Sequence, residues 1–125
     1  MFRTLFFACL LALTAQPVLA GGMLPKQEED PKHPKTLRIH FGSPGHGIDR
    51  ETFQKAVSAA EAEMNHFATY SLLGWGKEGE QTICIEPKFA DTFDSYHKFY
   101  QMLADEGEHV GVEVLRAPCL LQHEL

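Results

Sequence analysis

Two cysteines and several histidines carry the most obvious chemistry in this 125-residue chain. Cys84 and Cys119 lie beyond a predicted leader that contains the third cysteine, Cys9. In an oxidising compartment, an even pair of cysteines is typical of a disulfide. We therefore predict a disulfide between Cys84 and Cys119.

Cysteine and histidine are also ligands for zinc and copper, so a metal-binding protein is an alternative. His40 and Cys84 would begin such a site, and His46 or His123 would complete it. No pair of these residues has the i, i+4 or Cys-x-x-Cys spacing of a metal motif. We therefore expect no specific metal site and no cofactor.

A glycine-rich loop, residues 42–47, stands between a predicted strand and a predicted helix. Gly45, His46 and Gly47 indicate a weak anion site, because backbone N–H groups at a helix N-terminus bind anions. Their spacing matches neither the P-loop nor the dinucleotide-binding motif. A plain turn, made by the positive φ of glycine and the fixed φ of proline, is the favoured interpretation.

Catalytic signals are weak in this sequence. It has no G-x-S-x-G nucleophile motif, and its paired carboxylates fall on predicted helix surfaces or ends. We identify no catalytic residue, so an enzyme is less expected than a binding protein.

Asp and Glu outnumber Lys and Arg by 17 to 11, which gives a formal net charge of −6. This charge disfavours nucleic acid and anionic membrane surfaces as partners.

The first 20 residues have the pattern of a cleaved secretory signal peptide. Arg3 precedes an apolar run over residues 5–13, and small or aliphatic residues 18–20 form a cleavage site. We expect export to a periplasm or to the outside of the cell, with no membrane anchor after cleavage. Residues 21–35 contain three prolines and mixed charges, which predicts a flexible arm.

Hydrophobic periodicity predicts the order strand, helix, strand, strand, helix, strand over residues 36–125, a single domain that ends in a tail. The first strand alternates Leu37, Ile39 and Phe41 with polar residues. Capped by Asp49 and Asp91, the helices carry apolar faces formed by Phe53, Ala56, Val57, Ala60, Met64 and Phe67, and by Phe93, Tyr96, Phe99, Tyr100 and Leu103. Residues 70–76 make the weakest strand, because they include two glycines. This order is typical of an α+β ferredoxin-like βαββαβ plait, in which both helices cover one face of a four-stranded antiparallel sheet.

The uncovered sheet face is the predicted binding surface. With a 4-1-3-2 strand order, the first and third strands are central, and side chains alternate between the two faces. The outward set with recognition chemistry is Arg38, His40, Trp75, Cys84 and Glu86. Cys119 must reach Cys84 from the tail, because two strand spacings of about 9.6 Å exceed the roughly 7 Å that a disulfide spans. We predict a binding module whose ligand is a protein, a small molecule or a second copy of the chain.

Overall fold

The computed structural model describes residues 27–63 and 66–119. The predicted signal peptide, the first part of the arm, Met64 and His123 lie outside these residues. The elements are β1 (Thr36–Phe41), α1 (Arg50–Glu63), β2 (Ala68–Trp75), β3 (Glu80–Pro87), a short 3-10 turn (Ala90–Thr92), α2 (Phe93–Glu106) and β4 (Val110–Leu115). Neither helix in these residues is long and apolar enough to cross a membrane.

The four strands form one antiparallel sheet in the order β2-β3-β1-β4. β3 and β1 are the central strands, as predicted. Residues 70–76, the weakest predicted strand, lie almost entirely in β2. The fold class, an α+β protein with a four-stranded antiparallel sheet and two helices, is therefore confirmed.

The core lies between the sheet and the two helices. Leu37, Ile39 and Phe41 are almost fully buried, and they face away from the polar residues that alternate with them. The same cluster includes Ile83, Ile85, Ala56, Ala60, Phe93 and Tyr100. Both helices therefore contribute apolar side chains to the layer that covers this face of the sheet.

Asp49 caps α1, as predicted. Its carboxylate accepts hydrogen bonds from the backbone N–H of Thr52 at 3.2 Å and from the Thr52 hydroxyl at 2.8 Å. The backbone N–H of Glu108 also donates to it at 3.0 Å. These hydrogen bonds, the Thr52 hydroxyl first, lower the pKa of Asp49 because they stabilise its charged form.

Three helix predictions were wrong. Asp91 does not cap α2, because a 3-10 turn precedes the helix and Thr92 occupies the cap position. Phe99 is 44% exposed, because α2 buries only the stripe that contains Phe93, Tyr100 and Ala104. Phe67 is 48% exposed, and it lies after α1 in the turn that leads into β2.

Candidate functional site

The predicted disulfide is present and folds the tail back over the outer face of the sheet. Cys84 on β3 is bonded to Cys119, with a Cα–Cα distance of 5.7 Å and a sequence separation of 35. Cys84 is only 5% exposed. Because its sulfur is in the disulfide, it cannot serve as a thiolate ligand for a metal.

The buried Arg38 side chain binds the same tail through hydrogen bonds. One terminal nitrogen of its guanidinium donates to the carbonyls of Ala117 and Pro118, at 3.2 and 2.9 Å, and Nε lies 3.4 Å from the Cys84 sulfur. The residue is 7% exposed. Burial lowers the pKa of Arg38, while the carboxylates of Glu113 and Glu86 act in the opposite direction. A residue predicted to face a ligand therefore binds the chain's own tail.

Further contacts fix the described part of the tail, residues 116–119. The Cys119 backbone N–H donates to the Glu86 carboxylate at 2.8 Å. The Gln27 side chain donates to the Pro118 carbonyl at 2.8 Å, and the Asp30 N–H donates to the Arg116 carbonyl at 2.8 Å. The later part of the predicted arm is thus joined to the tail by hydrogen bonds. Its flexibility stays a prediction.

His40 lies at the centre of a second polar group on the same face. Its Nδ1 is 2.8 Å from the Thr82 hydroxyl, and its Nε2 is 2.8 Å from a Glu113 carboxylate oxygen. The Trp75 indole N–H donates to the same Thr82 hydroxyl at 3.0 Å. Because the indole can only donate, the Thr82 hydroxyl accepts from it and is free to donate a hydrogen bond to Nδ1. In that tautomer the Nε2–H of His40 donates to Glu113.

Threonine, histidine and glutamate in a row have the residue types of a nucleophile, a base and an orienting acid. Thr82, however, is 3% exposed. A nucleophile must reach the substrate atom that it attacks, so this group orders side chains across three strands and does not perform acyl transfer.

The sheet register separates the predicted binding residues into two groups. Arg38 is opposite Cys84, whereas His40 is opposite Thr82 and Gly111. His40 and Cys84 share a face and lie on neighbouring strands, but their direct contacts differ. The tail covers the end of the face that holds Arg38 and Cys84. His40 and Trp75, both half-buried, lie at the other end.

The described part of the chain contains no cluster of side chains that could bind a metal ion. Residues 27–63 and 66–119 contain no group of three or more His, Cys, Asp or Glu side chains placed to hold an ion. His40 and Glu113 are a pair. His123, proposed as a ligand in the metal-binding alternative, lies outside these residues.

Two backbone N–H groups of the glycine-rich loop, residues 42–47, donate hydrogen bonds to a side chain of the same loop. The N–H groups of Gly45 and Gly47 both donate to the Ser43 hydroxyl, at 3.0 and 2.8 Å. Gly45 and Gly47 have φ values of +128° and +105°, a region that favours glycine. The loop therefore turns the chain and leads to the Asp49 cap. These two N–H groups are already engaged.

An apolar concavity that the sequence analysis did not identify lies between the two helices. A groove of about 590 Å³ lies between α1 and α2. Its lining residues come from both helices and the segments before β2 and α2: Ala59, Ala62, Glu63, Phe67, Asp91, Thr92, Ser95, Tyr96, Phe99 and Tyr100. Exposed phenyl rings of Phe67 and Phe99 lie along it, and the Phe67 ring contacts the exposed Phe89 ring at a centroid distance of 6.4 Å.

Comparison with known proteins adds no family to this description. No protein-family model, curated protein or solved structure matches the chain.

A hydrogen bond between two lining residues connects the helices at the groove. The Tyr96 hydroxyl donates to a Glu63 carboxylate oxygen at 3.3 Å, which links the two helices across the groove. Burial, and to a lesser degree the Glu63 charge, raises the pKa of Tyr96 to about 12. The phenol is therefore neutral at ordinary pH, and it holds the carboxylate beside an apolar wall.

Proposed function

We propose that the protein is a binding module whose main site is the groove between α1 and α2. Its ligand is a segment of a partner protein that carries an apolar side chain next to a lysine or arginine. The observation that carries this proposal is the coincidence of a 590 Å³ groove with exposed phenyl rings and carboxylates as its only charged lining groups among the described residues. Exposed apolar patches of this kind mark interaction sites.

The apolar part of the groove supplies affinity. Phe67 and Phe99 are 48% and 44% exposed, so a partner side chain placed between them would remove phenyl surface from water. Complete burial of a phenyl side chain contributes roughly 1.5–3 kcal/mol, so covering the exposed half of one ring contributes roughly 0.7–1.5 kcal/mol. That range corresponds to roughly a 3- to 10-fold change in affinity.

The charges of the groove select the partner. Glu63 and Asp91 line it, and no described Lys, Arg or His does so. Acidic lining attracts a basic segment and repels an acidic one, which fixes specificity and increases the association rate.

Two finer assignments belong to the same proposal. Read from the β4 edge, the strand order is 4-1-3-2, which supports a ferredoxin-like plait. The Cys84–Cys119 disulfide supports export, because disulfides persist in oxidising compartments. Detection of the mature chain in a periplasmic or extracellular fraction, with residues 1–20 removed, would test that second assignment.

The binding proposal is tested with two synthetic peptides of the same amphipathic pattern, one with leucine and lysine and one with leucine and glutamate. We expect saturable amide NMR shifts at Phe67, Tyr96 and Phe99 with the lysine peptide alone. Phe99→Ser should weaken binding by roughly 3- to 10-fold. Met102→Ser is the matched control, because Met102 is exposed on the same helix but does not line the groove.

Other occupants give different results. Equal binding of the two peptides, or equal losses for Phe99→Ser and Met102→Ser, would refute the charged groove. Shifts centred on His40 and Trp75 would instead favour the sheet face. A dimer in light scattering that Phe99→Ser abolishes would assign the groove to a second copy of the chain.

A further inference from the structure

We infer a second binding site, for a small oxyanion with an apolar body, in the cleft beside the start of α2. The cleft has a volume of about 340 Å³, within the range of small-molecule sites. It is lined by Pro34, Lys35, Pro87, Lys88, Phe89, Ala90, Phe93, Asp94 and Arg116. The Phe89 ring, which lines the cleft, also contacts Phe67 of the helix groove.

Three cationic side chains converge on this cleft from distant parts of the sequence. Lys35 ends the arm, Lys88 follows β3 and Arg116 follows β4. Asp94 is the one carboxylate among the described lining residues. In a chain of net charge −6, this concentration of positive charge is a local exception, and like charges held together repel one another unless an anion joins them.

Among the described residues, the fold positions these cations without an ion pair to any of them. The Lys35 ammonium lies 5.3 Å from the centre of the buried Phe93 ring, a cation–π distance. The Arg116 guanidinium donates to the His33 carbonyl at 3.1 Å. In residues 27–63 and 66–119, the ion pairs are His40–Glu113 and Lys55–Glu51, and neither involves the three cations of the cleft.

The backbone at the cleft is also fixed. The Lys88 N–H donates to the Phe67 carbonyl at 2.7 Å, and the Arg116 N–H donates to a Glu29 carboxylate oxygen at 3.2 Å. The backbone at Lys88 and Arg116 is therefore anchored before a ligand binds, which reduces the backbone entropy lost on binding.

The lining specifies the ligand class. Arginine and lysine bind carboxylate and phosphate oxygens through charge-assisted hydrogen bonds. Pro34, Pro87 and the exposed Phe89 ring provide apolar walls next to them. A ligand with an oxyanion at one end and an aryl or alkyl body therefore fits better than a free inorganic ion, which would leave those walls uncovered.

The test uses four probes followed by amide NMR: phenyl phosphate, phenylacetate, inorganic phosphate and benzyl alcohol. We expect saturable shifts at Lys35, Lys88 and Arg116 with one or both aryl anions, with inorganic phosphate weaker and benzyl alcohol inactive. The stronger aryl anion identifies the oxyanion as phosphate or carboxylate. Affinity should fall several-fold as salt shortens the Debye length from about 30 Å to about 10 Å.

The variants Lys88→Gln and Arg116→Gln should each weaken binding by about tenfold, the loss that corresponds to one charge-assisted hydrogen bond. Lys77→Gln is the matched control, because Lys77 is exposed in the β2–β3 turn. Melting curves verify that all variants are folded. Absence of saturable shifts with both aryl anions, or equal weakening by Lys77→Gln, would overturn the site.

Discussion

Removing the Cys84–Cys119 disulfide by Cys119→Ser should destabilise the fold strongly while leaving the sheet intact. The bond closes a loop of 35 residues. In the chain-entropy relation, such a closure removes about 13 cal/mol/K from the unfolded state, or about 4 kcal/mol at 25 °C. Small domains have about 5–15 kcal/mol of stability in total, so the variant should lose a large share of it.

Urea unfolding monitored by circular dichroism measures this loss. With an m-value of about 2 kcal/mol/M, the midpoint should fall by about 2 M. The wild-type protein in reducing agent should match the variant, because both lack the same cross-link. A loss below about 1 kcal/mol would refute the reasoning, since the cross-link would then restrict the unfolded chain far less than the chain-entropy relation requires.

Arg38→Met provides the second half of this experiment. Its guanidinium donates to two tail carbonyls, so with the disulfide intact the substitution should cost about 1.5–3 kcal/mol. In Cys119→Ser, the freed tail no longer holds those carbonyls against Arg38, and the cost should be smaller. Strict additivity in this double-mutant cycle would show that the two anchors act independently.

Three further predictions concern single hydrogen-bonded groups. Thr82→Val should cost about 1–3 kcal/mol in urea unfolding, because it removes the partner of both the His40 ring and the Trp75 indole; a change below about 0.5 kcal/mol would contradict that network. Asp49→Ala should cost about 1 kcal/mol at neutral pH. Because the folded pKa of Asp49 is lowered, this contribution is present above the unfolded pKa of about 3.9 and is lost as the pH falls through the folded value; a cost that persists in strong acid would contradict it. The Tyr96 phenol, with its pKa raised to about 12, should make stability fall as the pH rises above about 10, where the unfolded chain loses the proton first; Tyr96→Phe should remove a titration step near pH 12 from the absorbance at 295 nm.

The sequence was sufficient to predict the sheet, because successive side chains of a strand point to opposite faces and apolar residues alternate with polar ones. Leu37, Ile39 and Phe41 point to the core, and Arg38 and His40 point away from it, as the period of two requires. The disulfide was predicted from an even pair of cysteines in a chain expected to be exported, and the alternation added how the two could meet. Once Cys84 was placed outward on a central strand, only the tail could deliver its partner.

The surfaces were harder to predict, for physical reasons. Alternation placed Arg38 outward, but it could not show that the tail would cover it. On α2, the spacing of Phe99 and Tyr100 looked like one apolar face. Successive residues lie about 100° apart around a helix, so burying Tyr100 turns Phe99 to the flank. The groove and the cationic cleft depend on contacts between distant segments, which local periodicity does not report.

The groove exists because α1 presents small side chains where it faces α2. Ala59 and Ala62 line the groove. Larger side chains at these two positions would fill the space between the helices. Ala62→Leu should therefore block the lysine peptide while changing the free energy of unfolding by less than about 1 kcal/mol, because leucine and alanine have similar helix propensities. Ser58→Leu, on an exposed position of α1 outside the groove, adds the same side chain and should bind the peptide normally. Peptide affinity unchanged by Ala62→Leu would mean that the space between the helices is a packing consequence and that binding occurs on another surface.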